Sequence, residues 1–180
     1  QALIDIVKQG KALYVGISKY PPAQAKIAYE MLRAAGVPCL ISQYRYSMFD
    51  RTVEEKSLPL AAEQGSGFIA FSPLAQGLLT KKYLHGIPEH SRAARSTGFL
   101  KVDQVTEDKV GKARRLDEIA ARRGQTLAEM ALAWVLKDER MTSVIVGTSS
   151  VKQLADNLHA LDNLNFTNEE LAEIEGILRL

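Results

Sequence analysis

The stretch LYVGISKYPPAQAKIAYEMLRAAGVPCLIS, residues 13–42, carries the reading of the fold. It opens on a nearly continuous apolar run, Leu13–Ile17, and closes on another, Cys39–Ser42. Between them, residues 22–35 place Ile27, Met31 and Leu32 on one helical face, and Gly36 followed by Pro38 supplies the stop. Apolar runs that do not alternate are the mark of parallel strands covered on both faces. A strand, a helix and a second strand in that order imply a right-handed crossover in a parallel sheet.

The same unit recurs along the chain. Phe68–Phe71 (FIAF) and Ser143–Val146 (SVIV) read as two further strands, and a helix near residues 54–64 ends at the Gly-Ser-Gly of Gly65–Gly67. Thr126 with Glu129, Ser150 with Gln153, and Thr167 with Glu170 fit the capping box, in which hydroxyl and third-residue side chain satisfy each other's orphan amides. With an opening helix in QALIDIVKQGK, the order is α-β-α-β-α-β-α-α-β-α-α. Two α/β architectures accommodate it, a four-stranded doubly wound sheet and one half of an eight-stranded (β/α)8 TIM barrel. A helix with no strand before it favours the half-barrel.

With 180 residues, 46% hydrophobic and 24% charged, the chain has the composition of one ordinary globular domain. A net charge of +2 is too small to point to nucleic acid or an anionic membrane as partner. The sequence lacks a long apolar span and the zones of a signal peptide, so a cytoplasmic location is expected. The single cysteine, Cys39, sits in the run VPCLI and reads as a buried small hydrophobe, and no metal site is expected.

In parallel α/β folds ligands lie at the C-terminal ends of the strands. The polar residues there are Ser18 and Lys19, Gln43, Ser72, and Gly147 with Thr148 and Ser149. Amides, hydroxyls and glycines suit recognition of a polar ligand better than proton transfer. Gly147-Thr148-Ser149-Ser150 leads into a helix, so free amides and the positive end of its dipole either face a phosphate or are simply capped by serine. The connection 73–105 is long, basic and punctuated by glycine, as a lid or clamp would be; its Lys82 and Arg92 are cations able to close over phosphates.

Catalytic readings of the remaining side chains are weaker. Tyr44 and Tyr46 have no lysine and carboxylate at readable spacing to tune them, so packing or substrate contact is the better reading. His85 and His90 stand in a loop with no third ligand, and His159 reads as a helix-surface residue. Trp134 belongs to a buried helix face. Gly16 stands alone in YVGIS, which disfavours a Rossmann fingerprint.

YVGIS followed by a helix, then ISQY, AFSPLAQGLLTKKY and SVIVGTSSVKQLADNL, resembles the second half of the aldo-keto reductases, their strands five to eight, over essentially the whole chain. The run SPLAQGLLT-x-KY-x-x-GIP is similar to the branch holding bacterial glyceraldehyde-phosphate reductases and potassium channel β subunits. The resemblance implies that residues 1–180 are the C-terminal, cofactor-binding half of one barrel domain. It implies NADPH as cofactor and a small carbonyl compound as substrate. Ser18, Lys19 and Gln43 would meet the nicotinamide carboxamide, Phe71 would stack on the ring, and Ser72, Pro73, Leu74, Ala75 and Gln76 would line the pyrophosphate. Lys82 and Arg92 would clamp the phosphates, with Gly147, Ser149, Gln153, Asp156 and Asn157 around the adenosine end. The family's catalytic tyrosine, lysine, aspartate and histidine fall on the first four strands, which nothing in this chain resembles. The expected function is therefore NADPH-dependent reduction of aldehydes or ketones by the complete barrel. The alternatives are an NADPH-binding regulatory subunit of the channel-β kind and an inactive half-barrel, whose unpaired strand edges would favour self-association.

Overall fold

The computed structural model describes residues 1–95 and 99–179. Its strands are β1 (Val15–Ser18), β2 (Cys39–Arg45), β3 (Gly67–Phe71) and β4 (Met141–Ile145). The helices are α1 (Ala2–Lys8), α2 (Pro22–Ala34), α3 (Ser57–Glu63), α4 (Glu107–Arg122), α5 (Leu127–Leu136), α6 (Val151–Leu158) and α7 (Asn168–Arg179). Their order is the one expected from the punctuation of the chain.

The strands form one sheet in the order β1-β2-β3-β4, every neighbouring pair parallel. A doubly wound sheet reverses its strand order at a switch point. Here each strand adds to the same growing edge, like the staves of a barrel. The doubly wound alternative is set aside, and the fold is α/β with the sheet of a partial (β/α) barrel.

Register sorts the side chains into rows. On one face, Gly16, Ile41 and Gly67 lie abreast, then Ser18, Gln43, Ile69 and Ser143, then Arg45, Phe71 and Ile145. On the other, Val15 and Ile17 pack with Ala25, Tyr29 and Leu32 of α2 and Ile4 of α1, while Tyr44, Phe68 and Ala70 join the larger core with Leu58, Met130 and Trp134. Only this second face is covered. The expectation of strands buried on both faces is corrected: β1 alternates buried and exposed along its length, and Ile145 is 43% exposed. The four strands meet helices on one face, and continuous apolarity in the sequence does not tell which face that is.

Element boundaries shifted for local reasons. Leu13 and Tyr14 are exposed ahead of β1, β2 runs on to Arg45, and β4 spans Met141–Ile145 rather than Ser143–Val146. Helix α3 begins at Ser57, not near 54, because Pro59 has no N–H to give a preceding turn and is tolerated in the first turn only. In α2 the buried residues are Ala25, Tyr29 and Leu32; Ile27 and Met31 are at least half exposed and line an open groove against α1.

Gly16 marks a close approach. A Cβ there would stand 2.6 Å from the Ile41 carbonyl oxygen, beside the register shift between Val15 and Gly16. Gly16→Ala is expected to force β1 away from β2 and to destabilise the chain by about 1–3 kcal/mol, the usual cost of overpacking. A urea midpoint equal to that of the unsubstituted chain would contradict it.

The connection 73–105 is largely docked. Leu79 and Tyr83 are fully buried, Leu84, Ala93 and Leu100 nearly so, and Ser91 is buried and caps the Ala94 amide. Its residues 96–98 lie outside the described residues. A lid that swings as a whole does not match this packing; Lys82, His85, His90 and Arg92 are among its exposed residues.

Candidate functional site

The C-terminal strand tips bring most of the expected residues together. Ser18 and Gln43 are register partners, and the Ser18 hydroxyl donates to Gln43 Oε1 at 3.4 Å. The next residue is fixed by its backbone, Lys19 N–H donating to the Gln43 carbonyl at 3.0 Å. One strand over, Phe71 sits in the row after Gln43 and is partly buried, leaving ring surface toward the open face.

The backbone beyond these tips is strained. The non-glycine residues with positive φ among the described ones are Lys19, Ser72, Ala75 and Gln76, at 58°, 54°, 47° and 60°. Such conformations cost on the order of 1–3 kcal/mol each and persist where the surroundings over-determine them, often at ligand sites. All four belong to the rim residues named from the sequence. Pro73 and Leu74 lie between them, and Ala75–Gly77 form a short 3-10 turn. Nothing in SPLAQG spells this conformation, since glycine is the residue that signals positive φ.

The loop cations Lys82 and Arg92 are exposed. Thr80 caps the 3-10 turn Lys81–Tyr83, accepting from the Lys82 amide at 3.1 Å, so the Lys82 side chain leaves a fixed turn. The Arg92 guanidinium lies 3.9 Å from where a Cβ on Gly147 would project, which places it over the β4 tip. Neither cation has an ion-pair partner among the described residues.

At the start of α6 the Ser150 hydroxyl accepts from the Gln153 amide at 3.1 Å, which is half of the expected box. The reciprocal half is corrected: Gln153 Oε1 accepts from the Ser149 amide at 2.9 Å and from its hydroxyl at 3.2 Å. The boxes at Thr126 and Thr167 form in both directions. Asp156 pairs with Lys152 at 2.9 Å, so its carboxylate is engaged along the helix. Asn157 turns inward; it is buried, and its Nδ2 donor has no partner. A buried amide without an acceptor costs about 1–3 kcal/mol, which a ligand acceptor would relieve.

The tyrosines near the tip of β2 are spoken for. Tyr44 donates to the Tyr20 carbonyl at 2.8 Å and stacks on Phe68, and burial pushes its hydroxyl up to about 12. Tyr46 donates to Glu54 at 2.8 Å, and burial first, then Glu54, raises it further. Both point into the helix layer and neither is poised to give up a proton. His85, His90 and His159 are exposed. No group of three metal-binding side chains occurs among the described residues, and no helix among them is long and apolar enough to cross a membrane.

Comparison with known proteins identifies the family. The model of the Aldo/keto reductase family matches residues 1–179. The L-glyceraldehyde 3-phosphate reductase of Escherichia coli O157:H7 is 48% identical over 178 residues, 97% of this chain and 51% of that protein. The protein of the same name from Escherichia coli strain K12 is 46% identical with the same coverage. The chain thus spans about half the length of the curated relatives it matches. A parallel sheet wound stave by stave, a strained rim at its C-terminal edge and a family match over nearly every residue lead to one assignment: the chain belongs to the aldo/keto reductase family.

Proposed function

We propose that this chain is the cofactor-holding C-terminal half of an NADPH-dependent reductase of small aldehydes or ketones. The observation that carries the reading is the rim itself, in which Ser18 and Gln43, the face of Phe71 and the left-handed turn at Ser72–Gln76 converge on the open side of the sheet. The fit to a dinucleotide is supported by the unpartnered Asn157 amide and by the Arg92 guanidinium beside Gly147.

When bound, the dihydronicotinamide supplies the hydride. The chain's own residues bind and orient. Ser18 and Gln43 would hold the carboxamide between a hydroxyl and an amide, which fixes which ring face is presented. The Phe71 ring would press against the other face by apolar contact. The turn at Ser72–Gln76 would direct backbone N–H groups to the pyrophosphate, with Lys82 and Arg92 closing over the charges. Gln153 in place of a cation, with both Ser149 donors turned to it, leaves recognition of the adenosine phosphate to Arg92 and the amides at the start of α6.

The proton donor is assigned to the half of the barrel that this chain does not span. The phosphorylated triose in the names of the relatives belongs to the proposed substrate class. Fluorescence titration is expected to show NADPH binding by the 180-residue chain, with no oxidation of NADPH by glyceraldehyde above the blank. Turnover by a chain of verified mass would remove the assignment of the donor to the other half, and absence of binding would remove the cofactor role.

A further inference from the structure

The turn that presents Lys82 is bolted to a helix of no assigned role. The Arg114 guanidinium on α4 donates twice to the Leu84 carbonyl, from Nε at 3.1 Å and from a terminal nitrogen at 2.6 Å. One helical turn on, Asp117 pairs with Lys81 at 3.3 Å. These two bolts flank Lys82 on either side. From within the loop, Thr80 donates to the Gly77 carbonyl at 2.7 Å, and buried Leu79 and Tyr83 root the turn in the core. Gly86, with φ of 119°, ends the segment just past Leu84.

A surface loop of this length is ordinarily a low-stability part of a fold. Here the exposed ammonium leaves a turn held on both sides. A cation held in place loses less freedom on meeting an anion than one on a free loop. An alkyl-only packing role does not explain why two polar side chains on one face of α4 reach Lys81 and Leu84 while skipping Lys82.

We infer that Arg114, with Asp117 behind it, is a positioning residue that acts through Lys82 to set how long the phosphates of NADPH are held. This rests on the cofactor reading above. Arg114 itself touches no nucleotide, so its effect vanishes when Lys82 is gone.

The test is a double-mutant cycle on the rate of NADPH release, followed by stopped-flow fluorescence. Arg114→Ala is expected to speed release about tenfold, from the loss of a charged donor pair. Arg114→Lys, which keeps one charged donor, recovers part of that. In a Lys82→Ala background, Arg114→Ala is expected to add almost nothing. An equal acceleration in both backgrounds overturns the inference, because it marks general damage to the loop. Trypsin cleavage after Lys81 and Lys82, measured without nucleotide, should be faster in Arg114→Ala than in the unsubstituted chain. Unchanged cleavage rejects the bolt. Faster cleavage with unchanged release rejects the positioning role and leaves the cofactor reading standing. If the unsubstituted chain binds no NADPH, the cofactor reading falls and the inference falls with it.

Discussion

Arg123→Ala is expected to lower the stability of the chain by about 3–5 kcal/mol, the range for breaking a buried ion pair from one side. The Arg123 side chain is 2% exposed. It pairs with Glu170 at 2.5 Å, donates to the Gln125 side chain at 2.8 Å and to the Asn165 carbonyl at 2.9 Å, and lies 3.7 Å above the Phe166 ring. One guanidinium therefore closes the C-terminal end of α4, the segment before α7 and the first turn of α7. Removing it leaves the Asn165 carbonyl without this donor and the Glu170 carboxylate with its Thr167 amide but no counter-ion, and that cost exceeds the lost packing. The two contributions can be separated. Arg123→Met keeps contact with Phe166 and should still be strongly destabilised; adding Glu170→Gln should restore part of the loss by removing the stranded charge. Unfolding free energies from urea titration within about 1 kcal/mol of the unsubstituted chain for Arg123→Ala would show that the network contributes little net stability.

The second large effect concerns the loop cations. Lys82→Ala and Arg92→Ala are each expected to weaken NADPH about tenfold, the low end for charged hydrogen bonds, because both side chains are exposed and screened by water. The pair together should cost about a hundredfold if they act independently. NADH, which lacks the adenosine phosphate, should lose less, and the gap should narrow as salt is raised, since screening reaches about 8 Å at physiological ionic strength. Titrations in which NADPH and NADH weaken equally would take the adenosine phosphate away from these residues. Equal affinities at low and high salt would argue against a charge interaction altogether.

The succession of elements was legible because its signals are local. Gly36 with Pro38 stops α2, and Thr126 and Thr167 cap α5 and α7 through residues three positions apart. The rim residues were legible for a related reason: they follow apolar runs, and strand direction places them at one end. What stayed hidden depends on partners distant in sequence or on backbone angles. Ile41, Ile69 and Ile145 are as apolar as buried residues, yet no hydropathy pattern tells which face of their strands meets a helix. The positive φ values at Ser72, Ala75 and Gln76 carry no residue-type signal. Gln153 obeyed the spacing of a capping box and still turned its side chain to Ser149, because that amide and hydroxyl offer two donors in place of one. Arg114 and Leu84, thirty positions apart, have no spacing rule to join them.

Helix α1 packs beside β1 and α2 through Ile4, and α6 follows β4 with Val151, Leu154 and Leu158 exposed along it. The two are anchored differently. Helix α1 buries an apolar residue, Ile4, whereas α6 buries the amide Asn157 and leaves those three apolar residues in the open; one end helix is held by the core and the other by a polar side chain.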